Sequence, residues 1–157
     1  MTTGVFEIGG IQEVAREIRS LSSDKMKRKE ILKILRRQAE PILMAMKLNA
    51  PESDNVIIVR NKVYYPGDLK KSIAIKTSPS RSYPNVLVGP RYGNGAKKYD
   101  GFYAWWIEYG TGTHEADPTG GKNFVQKTWS QTGVSTHTEA SSKLKKYIDK
   151  KAKTLNL

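Results

Sequence analysis

Ser72-Ile73-Ala74-Ile75-Lys76-Thr77 and Asn85-Val86-Leu87-Val88-Gly89 stand on either side of a Pro- and Ser-rich stretch, Ser78–Pro84. The first alternates apolar with small or polar residues and the second is β-branched and ends at Pro90, so both read as short strands. Upstream, Val56-Ile57-Ile58-Val59 and Val63-Tyr64-Tyr65 flank Arg60-Asn61-Lys62, the pattern of a hairpin within residues 52 to 65. Pro66-Gly67-Asp68 then opens a helical turn, with Asp68 as its expected cap. Strands follow strands here without intervening long helices. A doubly wound α/β chain would alternate them, so the pattern predicts α+β.

The flanks are helical. Ile31, Leu35, Gln38/Ala39, Ile42 and Met46 recur at helical spacing within residues 25 to 49, and Pro41 inside that run predicts a kink near residues 37 to 41. Ile11, Val14, Ala15, Ile18 and Leu21 predict a shorter amphipathic helix before it, preceded by an extended arm at residues 1–10. Near the other end, Phe124, Val125 and Trp129 open a helical turn. Thr136 or Thr138 is the expected cap of a last helix striped by Leu144, Tyr147 and Ile148. The expected architecture is a single domain spanning 1–157. A long basic N-terminal helix and a C-terminal helix pack on a small, mainly antiparallel sheet of three to four strands. Flexible loops are expected at 91–101 and 110–121, both rich in Gly.

The chain has 157 residues, a formal net charge of +12 and no cysteine, which excludes disulfides and thiolate chemistry. No apolar run approaches the ~18 residues of a membrane span, and the first residues lack a secretion signal. Leu, Ile, Val and Phe together number 34, just above the ~20% level at which a charged chain reads as disordered, so a modest core is expected. The charge suggests a polyanionic partner, but it has a simpler source. Residues 24 to 49 carry eight basic and three acidic residues, and residues 143 to 157 six and one. In both segments the charge surrounds an apolar stripe, as on a solvated helix face, while the same residues suit sequence-independent phosphate contacts. No zinc finger, RNA-recognition signature or helix-turn-helix is present.

Catalytic motifs are absent. His114, Glu115 and Asp117 are the one metal-capable group, but their spacing in a Gly-rich loop matches no ligand set, and solvated loop residues are the expected reading. Neither an enzyme nor a cofactor is expected. The densest feature is Phe102-Tyr103-Ala104-Trp105-Trp106-Ile107-Glu108-Tyr109-Gly110-Thr111. Phe102, Trp105, Trp106 and Tyr109 fall at helical spacing. Trp105 and Trp106 point in different directions on any regular element, so one surface does not bury both, and one of them suits an interface. Packing in the core is the alternative for this cluster. Glu108 either caps the following turn or pairs with a basic residue.

The order of these segments resembles the tail-completion, or head–tail joining (neck), proteins of long-tailed bacteriophages. The basic helix ends in Asn49-Ala50-Pro51. Gly67-Asp68-Leu69-Lys70-Lys71-Ser72-Ile73 follows, then a strand ending in Val-Gly, then Tyr103-Ala104-Trp105-Trp106-Ile107-Glu108-Tyr109-Gly110-Thr111, and Asn123-Phe124-Val125 before the last helix. The family pattern is Ala-Pro, Thr-Gly-x-Leu-x-x-Ser-Ile, Tyr-Ala-x-x-x-Glu-aromatic-Gly-Thr and Pro-Phe. Here residues 52 to 65 lengthen the link, Gly67-Asp68 stands where Thr-Gly is common, and Asn123-Phe124 replaces Pro-Phe. The resemblance implies a non-catalytic virion subunit at the neck or tail top, assembled in the host cytoplasm. It would form a homo-oligomeric ring, commonly a hexamer, between connector or adaptor proteins and the tail tube. The subunit interface is then expected at Trp105, Trp106, Glu108, Tyr109, Gly110, Thr111 and Phe124. Lys29, Lys33, Arg36, Arg37, Arg91, Lys97 and Lys98 are the candidates for transient contact with genomic DNA in the lumen, and no membrane contact is implied. The alternative is a sequence-independent nucleic-acid-binding module that uses the basic helices.

Overall fold

A computed structural model describes residues 25–52, 54–59, 61–78, 84–93, 99–110 and 122–154. The arm at 1–10 and the helix expected over residues 11 to 21 lie outside them, as do residues 94–98 and 111–121 of the two expected loops. The fold is α+β. Its elements in chain order are α1 (Lys25–Asn49), β1 (Ile57–Val59), β2 (Lys62–Tyr64), α2 (Asp68–Ser72), β3 (Ile73–Ser78), β4 (Asn85–Pro90) and α3 (Ala104–Tyr109). Helix α4 (Phe124–Thr128) follows, then a π-helical segment (Trp129–Gly133) and α5 (Val134–Thr154).

Helix α1 buries Ile31, Gln38, Ala39 and Met46, the face its periodicity predicts. It runs unbroken through Pro41, whose ring is exposed and whose missing N–H removes one intrahelical bond. Met46 packs with Ala50, Leu69, Ile73 and Phe124 in the core, joined by half-buried Ile42, Leu43, Val88 and Ile107. Each large apolar side chain fully buried there contributes about 1.5–3 kcal/mol. Helix α5 lies along α1 and buries Leu144. The Tyr147 hydroxyl donates to Glu30, which also pairs with Lys151 at 3.8 Å. At the far end of α1, Asn49 Nδ2 donates to Thr128 Oγ1 at 3.0 Å and to Gln131 Oε1 at 2.8 Å.

The four strands are present and antiparallel, but they form two separate two-stranded sheets, β1–β2 and β3–β4, where one sheet was expected. Pro66 lacks a ladder donor and α2 occupies the residues that would carry β2 toward β3, so the hairpin stays apart. Asn61, at φ 60°, takes the left-handed position in the β1–β2 turn. Asp68 is not the cap of α2. It is the first helical residue, and its Oδ2 accepts from the Tyr65 N–H at 2.9 Å while Gly67, at φ 80°, occupies the cap position. In β3–β4 the register pairs Ile75 with Val88 and Lys76 with Leu87. Ile73 and Ile75 face α1 and are buried, whereas Lys76 and Leu87 are exposed on the opposite face.

The C-terminal helices are not separated at Thr136 or Thr138. The helical backbone continues from Phe124 to Thr154, with Thr136 buried inside it. The hydroxyl of Thr138, one of the two expected caps, bonds one turn back instead, as do two threonine hydroxyls before it. Thr128 donates to Phe124 O at 2.7 Å, Thr132 to Thr128 O at 2.9 Å and Thr138 to Val134 O at 2.9 Å. The wider π turn lays the Trp129 ring against Gly133, where a Cβ would stand 2.4 Å from Trp129 Cδ2.

Candidate interaction surface on the aromatic helix

Helix α3 starts where only glycine fits. A Cβ on Gly101 would lie 2.3 Å from Ser72 Oγ and 2.7 Å from Pro90 Cβ. The Gly101 N–H donates to Arg91 O at 2.7 Å, and Ala104 N–H to Gly101 O at 3.0 Å. Asp100 braces the same turn: Oδ1 accepts from the Phe102 N–H at 3.0 Å, and Oδ2 pairs with Lys62. That hydrogen bond holds the Lys62 ammonium above its ordinary pKa. The helix ends at Gly110, φ 81°, whose N–H donates to Trp106 O at 2.8 Å.

The inward side of α3 carries Ala104, Ile107 and Glu108. Glu108 is 6% exposed, and its carboxylate accepts from the Val125 N–H at 2.8 Å and the Gln126 N–H at 3.0 Å. It therefore caps α4 from a distant segment, a negative charge at the positive end of the Phe124–Thr154 helical run. Backbone bonds join the same segments: Lys122 N–H to Ile107 O at 2.7 Å and Asn123 N–H to Glu108 O at 3.2 Å. The cap on α4 is neither of the roles read from the sequence, a cap on the turn that follows Glu108 or a pair with a basic residue. The link to residues 125 and 126 has no local spacing signature that would have distinguished it.

The outward side carries Trp105, Trp106 and Tyr109, at 60%, 47% and 59% exposure. Both tryptophans face solvent, where one was expected to. Trp105 packs at a tilt against Tyr109 one turn on, with centroids 4.3 Å apart. Trp106 meets Phe102 edge-on at 5.2 Å, and Phe102 and Tyr103 pack on the buried Tyr64 at 5.0 and 5.4 Å. Burial pushes the Tyr103 hydroxyl pKa up. Trp106 is thus braced from below through Phe102. Beside them lies a cleft of about 360 Å³ bordered by Pro90, Tyr92, Trp105, Tyr109 and Val125. Tyr92, 69% exposed, was not singled out in the sequence because it sits in a stretch read as loop.

Two expected interface residues do not reach the surface. Phe124 is 1% exposed in the core, and Glu108 is occupied as the cap. Gly110 is half-buried as the end of α3, and Thr111 lies outside the described residues. Of the basic candidates, Lys29, Lys33, Arg36 and Arg37 are exposed on α1 without an ion-pair partner among the described residues. Arg91 is half-buried and its Nη2 donates to Ile75 O at 3.1 Å, so it braces β3. Lys97 and Lys98 lie outside the described residues, as do His114, Glu115 and Asp117. Among the described residues no group of His, Asp and Glu could hold a metal ion, and no helix is long and apolar enough to cross a membrane.

Comparison with protein-family models, curated proteins and solved structures returns no match.

Proposed function

We propose that this chain is a non-catalytic structural subunit of the head–tail junction of a long-tailed bacteriophage, a neck or tail-completion protein that assembles into a ring. The observation that carries the reading is the solvent-facing aromatic side of α3. Trp105 packs against Tyr109, and Trp106 against Phe102, within the segment on which the family resemblance rests. Large exposed rings of this kind suit a subunit contact, where Trp and Tyr dominate the energetics. The interface is Trp105, Trp106 and Tyr109, extended by Tyr92, with Glu108 and Phe124 as its support from inside. The test is the oligomeric state of Trp105→Ala and Tyr109→Ala by sedimentation. Loss of assembly with unchanged melting supports the reading, and assembly equal to the parent's contradicts it.

The nucleic-acid reading has one observation in its favour. Lys29, Lys33, Arg36 and Arg37 share one exposed side of α1. It predicts binding to any duplex that weakens with a log–log salt slope of about 0.9 per neutralised phosphate. Undetectable binding to a DNA duplex at ~50 mM salt removes it.

A further inference from the structure

The β1–β2 hairpin has one face packed and one face bare. Ile58 and Val63 are cross-strand partners, and Val56 and Tyr65 stand two residues along from them, so the four share a face. Val56, Ile58, Val63 and Tyr65 are 49%, 70%, 42% and 59% exposed. Tyr64 between them points the other way, is buried, and meets Phe102 and Tyr103 at the start of α3. Lys62 lies on that inner side too, with its ammonium on Asp100. A two-stranded hairpin is marginal alone. Four exposed apolar side chains on one face mark a contact surface rather than scattered exposure.

Charge and symmetry indicate what covers this face. None of the four residues is charged, in a chain of net charge +12. The exposed Met26, Met44 and Leu48 share α1 with Lys29, Lys33, Arg36 and Arg37, a surface that repels a second copy. The outward side of α3 is uncharged as well, being Trp105, Trp106 and Tyr109. Two α3 faces pressed together would be isologous and would close at two copies, whereas a larger ring needs two different surfaces on each subunit. The hairpin supplies the second surface. Trp106 meets Phe102, which packs on Tyr64, so α3 lies on the inner side of the hairpin and the outer face points away from it. Within one copy the two faces therefore do not meet, and the contact is between copies. The cleft of about 360 Å³ beside Trp105 and Tyr109 offers a recess for an aliphatic side chain such as Ile58.

We propose that the outer hairpin face of one copy packs on Trp105, Trp106 and Tyr109 of the next, head to tail. The proposal rests on the ring-subunit reading and names the partner of its aromatic surface. The first test places p-benzoylphenylalanine at position 109 of the full chain and mixes it with ¹⁵N-labelled chain before irradiation. Mixed-isotope cross-links into residues 56–65 are expected. Ile58→Thr with Val63→Thr keeps both positions β-branched, so Tm should move by less than about 2 °C while the cross-link yield falls about tenfold or more. Particle mass gives the second test. At a concentration where the parent assembles, that double variant and Trp105→Ala should each stay monomeric, since each has lost one of the two surfaces. Mixed, they should form a one-to-one dimer and nothing larger, because the Trp105→Ala chain still offers its hairpin to the intact α3 of the other. Cross-links into α3 or α1 instead, a double variant that assembles like the parent, or a mixture that stays monomeric would each overturn the pairing. Rings that the double variant still forms and Trp105→Ala abolishes leave the subunit reading standing without it. Open-ended particles that carry the cross-link from position 109 to the hairpin do the reverse: the pairing stands and the closed ring falls.

Discussion

Replacing Glu108 with alanine should destabilise the protein far more than its place among exposed aromatics suggests. The change removes two charge-assisted bonds, at 2.8 and 3.0 Å, from the Val125 and Gln126 amides. Such bonds are worth about 1.5–3 kcal/mol each where their loss leaves the donors dry. Gln126 is exposed and Val125 half-exposed, so water recovers part of that loss. Loss of a helix cap sets a lower bound of about 0.5–2 kcal/mol. A net cost of about 2–3 kcal/mol follows, or a fall of about 4–12 °C in Tm for a chain of this size. Glu108→Gln keeps a carbonyl acceptor and should lose about half as much. Thermal and urea melts followed by far-UV circular dichroism measure both, and amide exchange should show Val125 and Gln126 unprotected in the alanine variant. A Tm for Glu108→Ala within about 1 °C of the parent would refute the capping role.

Gly101→Ala should cost about 1–3 kcal/mol in urea melts, because its methyl meets Ser72 and Pro90. Gly133→Ala should also destabilise by about 1–3 kcal/mol, although the same change in an ordinary helix gains about 1 kcal/mol. The Trp129 ring at 2.4 Å reverses the sign, and Gly133→Ala combined with Trp129→Ala should recover part of the loss in the same melts. Trp105→Ala should change Tm little yet weaken self-association by about 2 kcal/mol or more, roughly thirtyfold, measured by sedimentation. Arg36→Glu with Arg37→Glu should leave assembly intact and, on the nucleic-acid reading, lower the salt slope of DNA binding by about 2, seen in a titration from low to moderate salt.

Much of the fold is legible because periodicity reports burial. Ile31, Gln38, Ala39 and Met46 stand in the helical stripe read from residues 25 to 49 and are the buried residues of α1. The alternation from Ile73 to Lys76 likewise matches buried and exposed positions in β3. What local pattern misses is competition for the same groups. Thr138 reads as a cap, but its hydroxyl is satisfied one turn back, like those of Thr128 and Thr132, and the helix continues. Whether four strands share one sheet depends on α2, whose five residues carry no long-range signal. The aromatic segment was legible as a helix, but spacing left open whether its stripe packs in the core or faces solvent, and Phe102 of that stripe packs on Tyr64. The role of Glu108 depends on amides 17 and 18 residues away, and that of Tyr92 on a cleft closed by Val125.

Electron microscopy of the purified chain, and of particles that contain it, tests the central claim most directly. The account predicts a closed ring in which Trp105, Trp106 and Tyr109 of each copy are buried against a neighbour. A monomer at particle-forming concentrations, or a ring in which these three side chains remain in solvent, would contradict it.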